Sequence, residues 1–348
     1  MAKLGEPMYR CPAHANRLRS LNPDRRDREG RPRVKPYTEE KVVVEYARVH
    51  RIEPEPGLFP IPPFMDDLAG HLQQAIDNDY SASWKNKDWY LGNLELASGG
   101  THLSGQFGHA EEVKDPNSLP PYSKGEWSQE MPANRAGALA LFVVEKDSQW
   151  AAVTSRAGDV SIKGFCHAMT TLLNHQEMSL RQADLGRPRL IEWVVDPIAV
   201  PGVFRSWYEG VGRLTRISVS FHLPNPSPRD EIKESVDFLN QTAGTSGLIR
   251  ATNSDGRGLD PYGNDLLRSA IAMQENDYGS ITANAESTAG EPVPPFSSGD
   301  HVAQDSGPLE TDVALPVGTR PGPNEVIAMM LEWLADRVRR SGGGTTTE

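Results

Sequence analysis

Apolar and polar residues alternate one by one along several short segments in the second half of the chain. Segments 190–196, 214–222 and 279–285 show this pattern, which has the period of a β-strand. A strand covered on both faces would instead carry a continuous apolar run. The alternation therefore predicts a sheet with one face packed on helices and the other face open and polar.

Apolar residues at helical spacing separate these strands. They recur every three or four residues in segments 64–78, 228–241 and 264–275. In the first half, segment 41–52 is rich in β-branched residues and predicts a strand, and two hairpins follow it. Together these elements predict an α+β fold: a two-layer α/β sandwich with a mixed sheet and helices mainly on one face.

The patterns divide the chain into five segments. Their expected forms are a disordered basic arm at 1–38, an N-terminal α/β part with two hairpins at 39–180, a βαβαβαβ part at 181–285, a disordered acidic linker at 286–322 and an amphipathic helix at 323–340. The linker is assigned from its many Pro and acidic residues and its few large apolar ones, a composition that cannot bury a core.

Charge is distributed unevenly over the 348 residues, whose net charge is −11. Residues 1–35 hold ten Lys and Arg against four Asp and Glu, a net charge of +6. The remaining chain has a net charge of −17 and would repel a phosphate backbone unless its charges are locally patterned. Residues 1–35 can thus contact nucleic acid, or they can form a solvated arm.

Two further features concern the compartment. The longest apolar runs are far shorter than a membrane span requires, and the N-terminus lacks the apolar core of a signal peptide. Cys11 and Cys166 are the only cysteines, so a disulfide framework is not expected. These features predict a cytoplasmic protein with no membrane partner.

The predicted polar face carries the residues best suited to chemistry. Glu192 and Asp196 lie four residues apart on one strand and therefore on one face, and His222 ends another strand. Paired carboxylates can bind a divalent ion or transfer protons. We expect Glu192, Asp196 and His222 to be catalytic. The expected substrate-binding residues share the same face: Arg216, Ser218 and Ser220.

Two alternatives to a catalytic face stay open. The face can be a plain solvated surface, or the N-terminal half of the chain can cover it. It lacks the aromatic residues with which open sheets stack RNA bases, which counts against RNA recognition. No sequence motif for a cofactor is evident, so a divalent metal is the one candidate.

The last predicted helix has an apolar stripe that suits a protein contact. Its large members are Met330, Trp333 and Leu334, and we expect them to bind a partner or a second copy of the chain. The alternative is that the stripe docks on the chain's own sheet.

Short signatures in the second half are similar to a known family. One strand ends in Phe221-His222-Leu223-Pro224-Asn225-Pro226, and a helix leads through Asn276-Asp277-Tyr278-Gly279 into another strand. Over residues 40–290 this layout resembles a bacterial domain of unknown function found near phage-defence and toxin-type genes. The resemblance implies a defence-related or stress-related context, and it carries over no catalytic residue.

Three functional hypotheses follow. The first is a component of a bacterial defence or toxin-type system that acts through protein contacts, as an oligomer. The second is a metal-dependent, nuclease-like enzyme that uses the paired carboxylates. The third is a nucleic-acid-binding protein that uses the basic arm at 1–35.

Overall fold

The computed structural model describes residues 42–52, 62–110, 122–123, 126–127, 137–155, 160–183, 191–223, 232–242, 244–253, 256–307 and 323–342. The expected basic arm at 1–38 lies outside these residues. Among the described residues, no helix is both long enough and apolar enough to cross a membrane.

The described strands and helices follow the predicted order closely. The strands are β1 (Val42–Ile52), β2 (Ala82–Trp84), β3 (Lys87–Leu96), β4 (His102–Ala110), β5 (Tyr122–Ser123), β6 (Glu126–Trp127), β7 (Gly137–Glu145), β8 (Trp150–Ser155), β9 (Glu192–Pro197), β10 (Arg213–His222), β11 (Ser246–Thr252), β12 (Gly279–Glu286), β13 (Phe296–Ser297) and β14 (Gln304–Gly307). The helices are α1 (Phe64–Asp77), α2 (Ile162–Ala183), α3 (Val203–Gly210), α4 (Lys233–Gln241), α5 (Asp265–Glu275) and α6 (Pro323–Gly342).

The first sheet has eight strands and is covered by helices on both faces. Its order is β14-β1-β8-β7-β4-β3-β2, and β9 also pairs with β1. Helices α1 and α2 bury one face, where Phe107, Phe165 and Trp193 form part of a large core. Helix α6 packs on the opposite face over β7 and β8. The extensive burial of apolar side chains on both faces is the main force that stabilises this arrangement.

The second sheet has four strands in the order β11-β10-β12-β13. Helices α4 and α5 cover one face, where Phe221 and Ile281 are fully buried. Asn264 precedes helix α5, and its side chain accepts a 2.9 Å hydrogen bond from the amide of Leu267 and so caps the first turn. The other face carries alternating polar residues, as the sequence predicts.

These features confirm the α+β sandwich class. All strand pairs between the described strands are antiparallel, so the sheets are not mixed. A helix between two strands suggests a parallel crossover, but α4 connects β10 to an antiparallel neighbour, β11.

Strand β1 corrects the predicted boundary at residue 181. Along one edge, its first half pairs with β14 and its second half pairs with β9. Strand β9 therefore belongs to the first sheet, and the segment 181–285 is divided between both sheets. The alternation in β9 is local and does not reveal which strand it will pair with.

The expected disordered linker at 286–322 is also corrected over its described part. Residues up to 307 contain β13, a single 3-10 turn and β14. Phe296 is buried in the second core and Ala303 in the core beneath α6. A few buried apolar side chains are enough to hold this segment in place, because it packs on sheets that other parts of the chain form. Residues 308–322 lie outside the described residues.

Candidate metal centre

Three ligand-type side chains meet where the two sheets contact each other. The imidazole Nε2 of His222 lies 2.6 Å from Oδ2 of Asp196, and His50 faces both. One ligand atom from each residue lies within 4.8 Å of the others. His50 and His222 are 3% and 7% exposed, and their ring centroids are 5.4 Å apart. Among the described residues, this is the group with the spacing of a metal site.

Strand registers bring the three residues together. His50 lies on β1 opposite Val194 of β9, and Arg48 lies opposite Asp196. Since paired residues share a face, His50 and Asp196 point away from the core that buries their neighbour Val49. His222 is the last residue of β10 and reaches this face from the second sheet.

The tight turn between α5 and β12 fixes the position of His222. The backbone amide of His222 donates a 3.0 Å hydrogen bond to the carbonyl of Tyr278. Gly279 follows, and a Cβ atom there would stand 2.0 Å from the carbonyl oxygen of Ser220. Only glycine allows β12 to approach β10 so closely, which explains the Tyr-Gly pair seen in the sequence.

Tyr278 also connects this turn to β1. Its ring lies 5.6 Å from that of His50, and its hydroxyl accepts a 3.0 Å hydrogen bond from Nη2 of Arg48. The guanidinium of Arg48 stacks 4.4 Å above the same ring, a favourable cation–π contact. Arg48 and Tyr278 thus hold the rim of the site rigidly.

The electrostatics keep His50 neutral. Its complete burial, together with the charges of His222 and Arg48, lowers the pKa of His50 to about 3. The ring hydrogen-bonds the backbone of Asp277, and Nε2 has no hydrogen-bond partner among the described residues. The bond to Asp277 therefore uses Nδ1, which leaves the Nε2 lone pair free to bind an electrophile.

Asp196 is held as a carboxylate. Burial by itself would raise the pKa of Asp196, but the hydrogen bond from His222 and the electrostatic attraction of that ring outweigh it, so the pKa is lowered. The cluster therefore presents an anionic oxygen beside a neutral imidazole nitrogen.

The open face of the second sheet begins next to this cluster. We call it the arginine–hydroxyl face; it lines a shallow concavity of about 370 Å³, whose polar residues are Arg216, Ser218, Ser220, Arg250, Ser280, Thr282 and Asn284. Ser220 is two residues before His222 and points to the same side of β10. The hydroxyls of Ser220 and Ser280 are hydrogen-bonded at 2.7 Å.

The structure brings together some of the sequence-predicted site residues and separates others. Asp196 and His222 are hydrogen-bonded, and Arg216, Ser218 and Ser220 lie together on one face, as expected. Glu192 does not join the cluster, because four residues of extended strand place it about 13 Å from Asp196. Its predicted catalytic role stays a prediction that this cluster does not support, because residues on a shared face need not form a shared site.

Sequence reasoning missed His50 and Tyr278. The available signal for His50 was the polar pair Arg48 and His50 at alternate positions of a strand rich in apolar residues. Such a pair marks a polar patch on one face, but its partner in β9 is about 145 residues away and is fixed only by the register.

The partner-binding prediction for α6 is corrected as well. Met330 and Leu334 are fully buried against the chain's own first sheet, and Trp333 packs partly buried beside them. The stripe thus already has its apolar partner.

Comparison with protein-family models finds no match, and neither does comparison with curated proteins.

Proposed function

We propose that this chain is a metal-dependent hydrolase whose ion is held by His50, Asp196 and His222. The observation that carries the proposal is the buried Nε2 atom of His50, which has no hydrogen-bond partner among the described residues and faces a carboxylate and a second imidazole. A buried polar atom without a partner costs about 1–3 kcal/mol. Metal coordination would remove that cost.

The surroundings of His50 also fit a ligand. A metal-binding histidine usually donates its other ring N–H to a carbonyl or carboxylate, which fixes the tautomer. His50 makes such a bond with the backbone of Asp277. Neutral imidazole is the form that binds a metal, and the low pKa of His50 keeps that form at all ordinary pH values.

The ligand atoms lie within 4.8 Å of one another and would have to adjust their spacing to share an ion. Atoms that share a tetrahedral zinc ion stand roughly 3.4 Å apart, since each bond is about 2.1 Å long. His222 and Asp196, at 2.6 Å, would separate slightly as the ion displaces their shared proton. A set of two imidazoles and one carboxylate suits Zn²⁺, Fe²⁺ or Mn²⁺ better than Mg²⁺ or Ca²⁺.

Three protein ligands leave coordination positions for water and substrate, as in catalytic rather than structural sites. A bound ion would supply Lewis acidity, which lowers the pKa of coordinated water towards neutrality and polarises a phosphoryl oxygen. The chain's own residues would orient the reactants: Arg48 and Tyr278 hold the rim, and the arginine–hydroxyl face supplies donors for an anionic substrate. This supports the nuclease-like alternative among the sequence hypotheses.

The defence-related role remains a prediction from the family resemblance. One of its supports is removed, because the α6 stripe is covered by the first sheet. A hydrolase centre is compatible with a defence context, so the two proposals do not exclude each other.

Hydrolysis of bis(p-nitrophenyl) phosphate with added Zn²⁺, Mn²⁺ or Fe²⁺ tests the proposal. We expect activity that chelator abolishes and that falls at least about tenfold in His50→Ala and His222→Ala. His102→Ala is the matched control, since this histidine lies on β4 away from the cluster, and it should keep full activity. Equal activity in all three variants, or none in the parent with any ion, would refute the proposal.

A further inference from the structure

We infer that the arginine–hydroxyl face binds the phosphate backbone of a single-stranded nucleic acid and leads it to the metal centre. This inference rests on the proposed function, because it names the substrate class of the same site. It goes further by assigning a polymeric substrate and a direction of approach along β10.

The charge on the face suits a phosphate chain. It carries Arg216 and Arg250, and none of the described residues that line the concavity is a carboxylate. Nε of Arg250 donates a 3.3 Å hydrogen bond to Ser218, which orients its guanidinium across the sheet. Arg213 differs, because it is paired with Glu286 at the end of the sheet. Serine and threonine hydroxyls together with arginine are the donors that proteins direct at phosphate oxygens.

The donors form successive rows across three strands. Arg216 is paired with Thr252 and Asn284. Ser218 is paired with Arg250 and Thr282, and Ser220 with Leu248 and Ser280. Neighbouring rows are about 6.7 Å apart, the rise of two strand residues. That interval is close to the separation of neighbouring phosphates in an extended single strand, so each row can contact one phosphate.

The width of the face favours a single strand over a duplex. Three strands span about 10 Å from β11 to β12. The chain beyond residue 35 has a net charge of −17, so the cationic strip lies on a body that repels further phosphates. A single phosphate chain fits the strip, whereas the second strand of a duplex would meet negative potential.

The composition of the face predicts little preference for base sequence. Within the described part of the chain, no aromatic residue lines the face for bases to stack on, and the large apolar residue there is Leu248, which is 61% exposed. Recognition would therefore act on the backbone. His222 continues the same side of β10 beyond Ser220, so the phosphate after the last row reaches the metal centre.

Fluorescence anisotropy with a labelled 12-nucleotide oligothymidylate, in the presence of EDTA, tests this inference on the full chain. We expect Arg216→Gln with Arg250→Gln to weaken binding at least about tenfold. The slope of log affinity against log salt should flatten by about 0.7 for each lost contact. Arg268→Gln, an exposed arginine on α5 paired with Asp265, is the matched control and should bind like the parent.

Other ligands complete the test. Oligouridylate of the same length should bind with similar strength and a duplex at least about tenfold more weakly. Duplex binding equal to that of the single strand, or no effect of the double variant, would overturn the inference. So would loss of binding confined to an Arg25→Gln, Arg26→Gln and Arg28→Gln variant, which would assign binding to the basic arm.

The metal-site proposal can fail separately. His50→Ala should keep the oligonucleotide affinity measured in EDTA while losing hydrolysis. If the chain binds no metal but the arginine variants still weaken binding, the face is supported and the hydrolase proposal is wrong. If metal-dependent hydrolysis of bis(p-nitrophenyl) phosphate occurs but the arginine variants bind the oligonucleotide like the parent, the hydrolase proposal is supported and the inference about the face is wrong.

Discussion

The ring of His222 hydrogen-bonds the carboxylate of Asp196 over 2.6 Å, although the two residues lie in different sheets. His50 completes the group from the strand next to that of Asp196. The contact between the sheets is therefore also the place where ligand-type side chains converge. A polar group placed in such a contact must be satisfied, and a bound ion would satisfy it.

Asp196→Asn should separate metal binding from hydrogen bonding. The amide keeps the shape of the side chain but removes the negative charge, so we expect the affinity for Zn²⁺ to fall at least about tenfold. Glu192→Gln makes the same chemical change on the same strand outside the cluster and should leave affinity unchanged. Isothermal titration calorimetry measures both; equal losses in the two variants would contradict the assignment.

Gly279→Ala should destabilise the second sheet. The added Cβ would stand 2.0 Å from the carbonyl oxygen of Ser220, so β10 and β12 would have to separate. We expect the free energy of unfolding in urea to fall by about 2–4 kcal/mol. Gly70→Ala, in helix α1, places a Cβ that meets no atom within 4 Å apart from its chain neighbours and the helix's own backbone, and should instead stabilise by about 0.5–1 kcal/mol. An unchanged free energy of unfolding in Gly279→Ala would contradict the close approach of β10 and β12.

The buried pair of His71 and Glu177 should make stability depend on pH. Burial by itself would lower the pKa of His71, but the 3.0 Å hydrogen bond to Glu177 and the contacts with Asp67 outweigh it, so the pKa is raised. A raised pKa stabilises the folded state fully below the unfolded value of about 6.5, and this contribution is lost as pH rises through the folded pKa.

Glu177→Gln should therefore cost more stability at about pH 6 than at about pH 9. Urea unfolding of parent and variant at both values measures the difference. Glu209→Gln, which breaks an exposed pair with Arg205, should change stability little at either pH, because solvent screens exposed pairs. If Glu177→Gln cost more stability at about pH 9 than at about pH 6, folding would not raise the pKa of His71.

Met330→Ala should destabilise the chain because α6 is part of the core. Met330 is fully buried against the first sheet, and truncation of such a side chain costs about 2–5 kcal/mol. Met178, which is 54% exposed on α2, provides the same substitution at the surface and should change stability by less than about 0.5 kcal/mol. If Met330→Ala changed the solution mass without changing stability, a partner-binding role would regain support.

Most local structure could be predicted from the sequence, because period and turn chemistry act over a few residues. The polar alternation of β10 and the hairpin formed by β3 and β4 are examples. The polar positions of β10 also placed Arg216, Ser218 and Ser220 correctly on one face. Each of these features is decided by near neighbours along the chain.

Long-range pairing could not be predicted in the same way. Polar and apolar residues alternate along β9 as in a strand of a sheet with one open face. Strand β9 nevertheless pairs with β1, where His50 and Arg48 lie opposite Val194 and Asp196. The same pairing creates the site with His50 and leaves Glu192 outside it. Residues 296–307 likewise fold only because buried positions for Phe296 and Ala303 exist in distant elements.

A Co²⁺ titration followed by visible absorption tests the central claim most directly, because d–d bands report the ligand set. We predict that the full chain binds one Co²⁺ through two imidazoles and a carboxylate, that Zn²⁺ displaces it, and that His50→Ala loses the bands while His102→Ala keeps them. Absence of the bands in the parent chain, or bands that persist in His50→Ala, would contradict a metal centre at His50, Asp196 and His222.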